Sequence, residues 1–198
     1  MQIRPYIKKQ SLRFGMTEIL VAVAVASALF CAETLMAADT PGASETQVKA
    51  IFLFNFAKYV EWPATAFTNA TAPITIGVMG TDPFGDNLQH DIEGKTMNGR
   101  PFVIKHLATD SDLSGCQILF ISDSEASRME EILDKAGALP ILTVGEDEQF
   151  AQKNGIINFV LKDRKVRLEI DLAAARKAGL TISSRLLAVA DVVKGRTN

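Results

Sequence analysis

Cysteine is scarce in this chain: Cys31 and Cys116 are the only two in 198 residues. Cys31 falls in a leading segment that reads as a removable targeting signal, so one thiol serves the remainder and no internal disulfide can form there. Cys116 opens the apolar run CQILFIS and reads as a small buried hydrophobe, against the alternative of an intermolecular crosslink. Histidine is as rare, with only His90 and His106, on different predicted elements. No tract of Lys and Arg runs through the chain, which argues against nucleic acid as a partner. No apolar run reaches the roughly 20 residues a membrane-crossing helix needs.

What is present begins with a basic start, Arg4, Lys8, Lys9 and Arg13, followed by ILVAVAVASALF at 19–30 and small residues up to Ala37 and Ala38. That order reads as a secretory signal peptide, against the alternative of an uncleaved anchor. Phe30 precedes Cys31, where lipoprotein processing requires a small residue. The expected organisation is a signal at 1–38, cut after Ala37 or Ala38, and a single α/β domain at 39–198 exported to the periplasm. Four of the 21 Lys+Arg and two of the 23 Asp+Glu lie in 1–38, leaving 17 against 21 and a net charge of −4. The remaining 160 residues can bury a core without staples.

Apolar runs then alternate with helical patterns. A helix is expected over 45–62, stopped by Pro63, then a loop over 64–73. Strands are expected at 74–79, 101–107, 117–122 and 140–145. Helices are expected at 83–92, from Ser122 (with Glu125 at capping-box spacing) to Gly137, and briefly at 147–154. INFVLKDRKVRLEI reads as a hairpin, and two helices, 172–178 and 185–194, close the chain. The alternation calls for a three-layer α/β fold, a mostly parallel sheet flanked by helices, with an antiparallel hairpin near the C-terminus.

The chemistry-bearing patterns are weak. GVMGTDPFGDN has phosphate-loop glycine spacing at Gly80 and Gly85, but Asp86 and Asn87 stand where Lys and Ser or Thr are required, and a carboxylate there repels phosphate. Asp82, Asp86 and His90 share one helix face without a fourth ligand, so no metal site is expected. No GxSxG elbow exists, and no catalytic residue or cofactor is expected. Arg167, Glu169 and Asp171 alternate on the second hairpin strand, with Arg185 near in sequence. They could grip an amino-acid-like or phosphate-bearing ligand, or form a solvated strand face.

The aromatic segment IFLFNFAKYVEWP is the strongest feature. Phe52, Phe54, Phe56, Tyr59 and Trp62 fall within eleven residues, out of 14 aromatics in all. On a helical wheel, Val48, Phe52, Phe56 and Tyr59 share one face, assigned to the core, with Trp62 and Pro63 closing the helix end. Leu53, Phe54 and Lys58 lie off that face and are the candidate partner contacts. A helix apolar on most sides must be covered on most sides, by its own domain, a second copy or another protein.

VKAIFLFNFAKYVEWP resembles the opening helix of the YfiR family. ITIGVMGTDPFG, CQILFIS, GIINFVLKDRKVRLEI and AGLTISSRLLAVADVV are similar to its later blocks, so the likeness spans about 46–195. The resemblance implies a periplasmic regulator, not an enzyme, that binds the periplasmic part of an inner-membrane diguanylate cyclase and holds it inactive, lowering cyclic di-GMP and biofilm formation. It also implies sequestration by an outer-membrane lipoprotein, a homodimer, and a small aromatic or nucleotide-like ligand. On matching positions it points to Arg185 first and Glu169 second as ligand contacts. Some relatives carry cysteine pairs; this chain cannot. A periplasmic small-ligand sensor is the competing reading.

Overall fold

Helix formation starts where the sequence supplies a cap. The Ser44 hydroxyl accepts from the Gln47 amide, and the Gln47 side chain accepts from the Ser44 amide at 2.9 Å. This computed structural model describes residues 44–194, so the expected signal peptide lies outside the described residues. The elements are α1 (Glu45–Tyr59), β1 (Val60–Glu61), β2 (Ile74–Met79), α2 (Asp86–Ile92), β3 (Thr96–Met97), β4 (Arg100–Leu107) and β5 (Ile118–Ile121). Then come α3 (Met129–Gly137), β6 (Leu142–Gly145), β7 (Ile157–Lys162), β8 (Lys165–Asp171), α4 (Leu172–Lys177), β9 (Thr181–Ile182), α5 (Ser184–Leu187) and β10 (Ala190–Val193). Short 3-10 turns lie at Ala64–Ala66, Asp123–Arg128 and Ala151–Lys153.

The main sheet runs β10-β8-β7-β6-β5-β2-β4-β3. Strands β4, β2, β5, β6 and β7 are mutually parallel, β7 and β8 form the antiparallel hairpin, and β3 turns back on β4. The fold is α/β, as its alternating pattern requires. Burial on both faces explains why the central strands are nearly continuous apolar runs. Ile76, Phe120, Val144, Phe159 and Leu168 pack with Leu53 and Phe56 of α1 and Leu88 of α2. Leu119, Ile121 and Ile141 pack with Ile132 and Leu133 of α3 and with Phe150. The sheet is therefore the middle of three layers.

Several boundaries differ from the sequence expectation. The first helix stops at Tyr59, because Val60 takes up an extended backbone and pairs with Ile182, and Glu61 with Thr181. Tertiary strand pairing thus overrides the last helical turn. Helix α2 starts at Asp86, because Asp82 Oδ1 accepts from the Phe84 and Gly85 amides and holds a turn there. Ser122 caps a 3-10 turn before α3 begins at Met129, and the 147–154 segment holds one 3-10 turn. The expected final helix is a single turn. Ala190–Val193 instead lies parallel to β8, Ala190 opposite Leu168 and Val193 opposite Asp171. ADVV suits a strand as well as a helix, and the free edge of β8 decides it.

Gln117 joins the lower part of the sheet to the loop after α1. Its Oε1 accepts from the Thr75 amide at 2.8 Å and its Nε2 donates to the Ala66 carbonyl at 2.7 Å. Its own carbonyl accepts from the Leu142 amide at 2.8 Å and from the Trp62 indole at 3.2 Å. The side chain is 2% exposed. Gln117→Leu strands one donor and one acceptor, each worth about 1–3 kcal/mol when buried and unpaired. Urea unfolding should show a loss of about 3 kcal/mol; a change within 0.5 kcal/mol, on the order of a neutral surface substitution, would show that the network is not needed.

Candidate functional site

The five parallel strands follow the order 2-1-3-4-5, which places a switch point between β2 and β5. In such sheets ligands bind outside the carboxyl ends of the strands at that point. Here the chain fills that place itself. Gly80 leaves β2 with a left-handed φ of 84°, and a side chain there would collide with Ser124 and Glu125. The Thr81 amide donates to Ser124 Oγ at 2.9 Å, and the Phe84 amide to Asp82 Oδ1 at 2.7 Å. Amides that a phosphate loop would offer to a ligand are engaged by the protein's own side chains.

His106 lies 2.8 Å through Nε2 from Asp82 Oδ2, a pairing that sequence spacing did not show, while Asp86 and His90 stay exposed on α2. Among the described residues no group of three His, Cys, Asp or Glu is placed to hold a metal. Burial pushes the Cys116 thiol up to about 11, so it stays protonated and packs as a hydrophobe.

The sheet end beside β6 is acidic. Partial burial, and then the charges of Glu146 and Asp147, raise the Asp123 carboxyl above its ordinary value. Lys49 of α1 reaches into this cluster, 2.7 Å from Glu146 Oε2 and 2.6 Å from Glu45 Oε1. Burial by itself would lower the Lys49 pKa, but hydrogen bonds to Glu146 and Glu45 and their charges outweigh it and hold the ammonium above its ordinary 10.5.

Helix α1 docks by a face other than the one its aromatics suggest. Ala50, Leu53, Phe56 and Ala57 are buried, with Leu53 at 0% exposure. This corrects the assignment of Leu53 to a partner surface: Ala50 and Ala57 let the backbone approach the sheet closely, and Leu53 lies on the same stripe. Phe52 and Tyr59 sit on the flank, half-buried, rather than at the centre of the core. The Phe52 ring lies 6.1 Å from those of Phe56 and Phe159. Phe54, also half-buried, tilts on Phe102 at 5.0 Å beneath the Lys95 ammonium at 4.9 Å, so it too is held by the fold. Of the three expected partner contacts only Lys58 is exposed. The wheel missed Ile51, which is 46% exposed between Lys58 and Asn55 on the outer strip. Trp62 packs at the core margin with its indole on Gln117, and the Pro63 carbonyl accepts from the Ala66 amide at 2.9 Å.

The expected ligand pair does not meet. Glu169 on β8 accepts from Lys162 Nζ at 3.3 Å, and the same ammonium is 3.0 Å from Asp191 on β10. Arg185 is exposed on α5, and no hydrogen bond or ion pair joins it to Glu169. Lys162, Arg167, Val189 and Asp191 line an open groove of ≈ 390 Å³ at the sheet edge.

Residues 46–191 match the sequence profile of a family described as YfiR/HmsC-like. A crystal structure of a conserved domain protein from Vibrio cholerae biovar El Tor is similar, with a TM-score of 0.51 at 15% sequence identity. The match covers 77% of this chain and 60% of that one, and at that identity it shows the fold alone. No curated protein matches the chain.

The Lys49 ion pairs define a pH window. A lysine pKa raised by folding adds stability that is fully present below 10.5 and lost as pH rises through the folded value. Lys49→Met should destabilise the protein at neutral pH by about 1–2 kcal/mol, a figure set between exposed and buried pairs. Urea melts across a pH series should show the gap between variant and wild type narrowing only above 10.5.

Proposed function

Because the chain belongs to the YfiR/HmsC-like family, we propose that it is a periplasmic regulator of cyclic di-GMP signalling that acts by binding and not by catalysis. In this reading residues 1–38 direct export and are removed, and 39–198 form one regulatory domain. It holds the periplasmic domain of an inner-membrane diguanylate cyclase inactive. Release raises cyclic di-GMP and favours biofilm. An outer-membrane lipoprotein sequesters the regulator and relieves the inhibition, and the regulator works as a homodimer.

The observation that carries this reading is the outer strip of α1. The inward stripe already satisfies the core, yet Ile51 stands exposed, with Val48, Phe52, Phe54 and Tyr59 half-buried around the helix and Lys58 beside it. Large apolar groups at the rim of an already seated helix suit an anchor contact for another protein. A small-ligand sensor is the second reading, favoured by the groove beside Lys162, Arg167 and Asp191.

Glutamate substitutions separate core from contact. Ile51→Glu and Lys58→Glu should leave stability within about 0.5 kcal/mol. They should weaken binding to the purified periplasmic domain of the cyclase by about 2 kcal/mol, roughly thirtyfold, and raise cellular cyclic di-GMP. Leu53→Glu should unfold the domain, because a buried charge loses its hydration. Full inhibition by a folded Ile51→Glu protein would remove α1 as the partner surface.

A further inference from the structure

Among the described residues, Asn158 is the one buried side chain whose nitrogen and oxygen both lack a hydrogen-bond partner. It is 1% exposed and lies on β7, opposite Gly145 of β6 and Glu169 of β8. Its neighbours Ile157 and Phe159 point to the α1 layer, so the Asn158 amide points to the other face. Gly145 shares that face and has no side chain to cover it. The Phe150 ring occupies the space instead: a Cβ on either Gly145 or Gly155 would run into that ring. Phe150 therefore lies in a flat slot walled by two glycines, alongside the amide. The segment carrying it, between β6 and β7, has a single 3-10 turn, Ala151–Lys153, and a left-handed Asn154 with φ of 67°.

A buried amide with neither atom paired disfavours the fold, and an apolar residue of the same size would avoid that cost. We propose that Asn158 is the receptor for a small flat molecule bearing a neutral amide edge, which enters the slot in place of the Phe150 ring. One primary carboxamide or lactam edge presents a donor and an acceptor side by side and answers both orphaned atoms at once. A charged head group fits less well, since it would lose its hydration in a buried site, and Glu169, opposite Asn158 on β8, is already engaged by Lys162. The site lies on the sheet face opposite α1, so it stands or falls apart from the partner surface proposed above.

Nicotinamide is a suitable probe, with nicotinate and N,N-dimethylnicotinamide as the charged and donor-free controls. Titrated into the purified protein, nicotinamide should shift the Asn158 side-chain amide resonances saturably, and both controls should bind at least tenfold more weakly. Asn158→Leu should melt at or above the wild-type temperature and lose the response. Phe150→Ala should bind nicotinamide more tightly, because the slot then stands open. No saturable shift, or equal binding by a folded Asn158→Leu protein, would overturn the proposal. So would a resonance that reports contact with one bound water and ignores the probe.

Discussion

Gln117 is the point through which the two ends of the architecture are tied. The side-chain amide of Gln117, at the foot of the central strand, pairs with backbone from the loop after α1 and from the start of β2, while the residue's main-chain carbonyl accepts from both β6 and the Trp62 indole. Buried backbone groups in a loop must find partners, and here one side chain serves several at once. Because the loop is anchored there, the end of α1 is fixed over the sheet, and the stripe of Ala50, Leu53 and Ala57 is fixed downward. Which residues remain for an outside contact follows from that single orientation.

The aromatic helix is consequently less a free hydrophobic surface than a saturated one. Phe52 and Phe56 stack towards Phe159 on one flank, and Phe54 towards Phe102 on the other. The rings fill the gaps that the small inward residues leave at the sides. Ile51, Asn55 and Lys58 form a narrower outer strip, and the regulatory reading rests on that strip.

Much of the fold was legible because the central strands are buried on both faces and carry long apolar runs. The hairpin alternation was equally clear, and the β7–β8 register keeps it. Short elements made by remote partners were not. Val60 and Ile182 form a strand pair across 122 positions, and ADVV becomes a strand only because β8 offers an edge. The docking face of α1 was misread because a helix apolar all round has no wheel signature, and bulk drew attention away from Ala50 and Ala57. Asn158 alternates with the apolar residues of INFVLK, and nothing in that run marks it as buried. Only the fold of the 147–154 segment over that face shows it to be enclosed.

The pairing of β1 with β9 also orders events in time. α1 is the first described element to emerge during synthesis, yet the strand that secures its end and the strands beneath its flank come from the last third of the chain. Local contacts form quickly, and contacts this distant in sequence wait for the whole chain. Until residue 182 arrives, the most aromatic segment of the protein is helical at best and unseated, exposed to self-association or to holding by a chaperone. Truncation near the C-terminus would therefore be felt at the opposite end of the sequence, as failure to retain the aromatic helix.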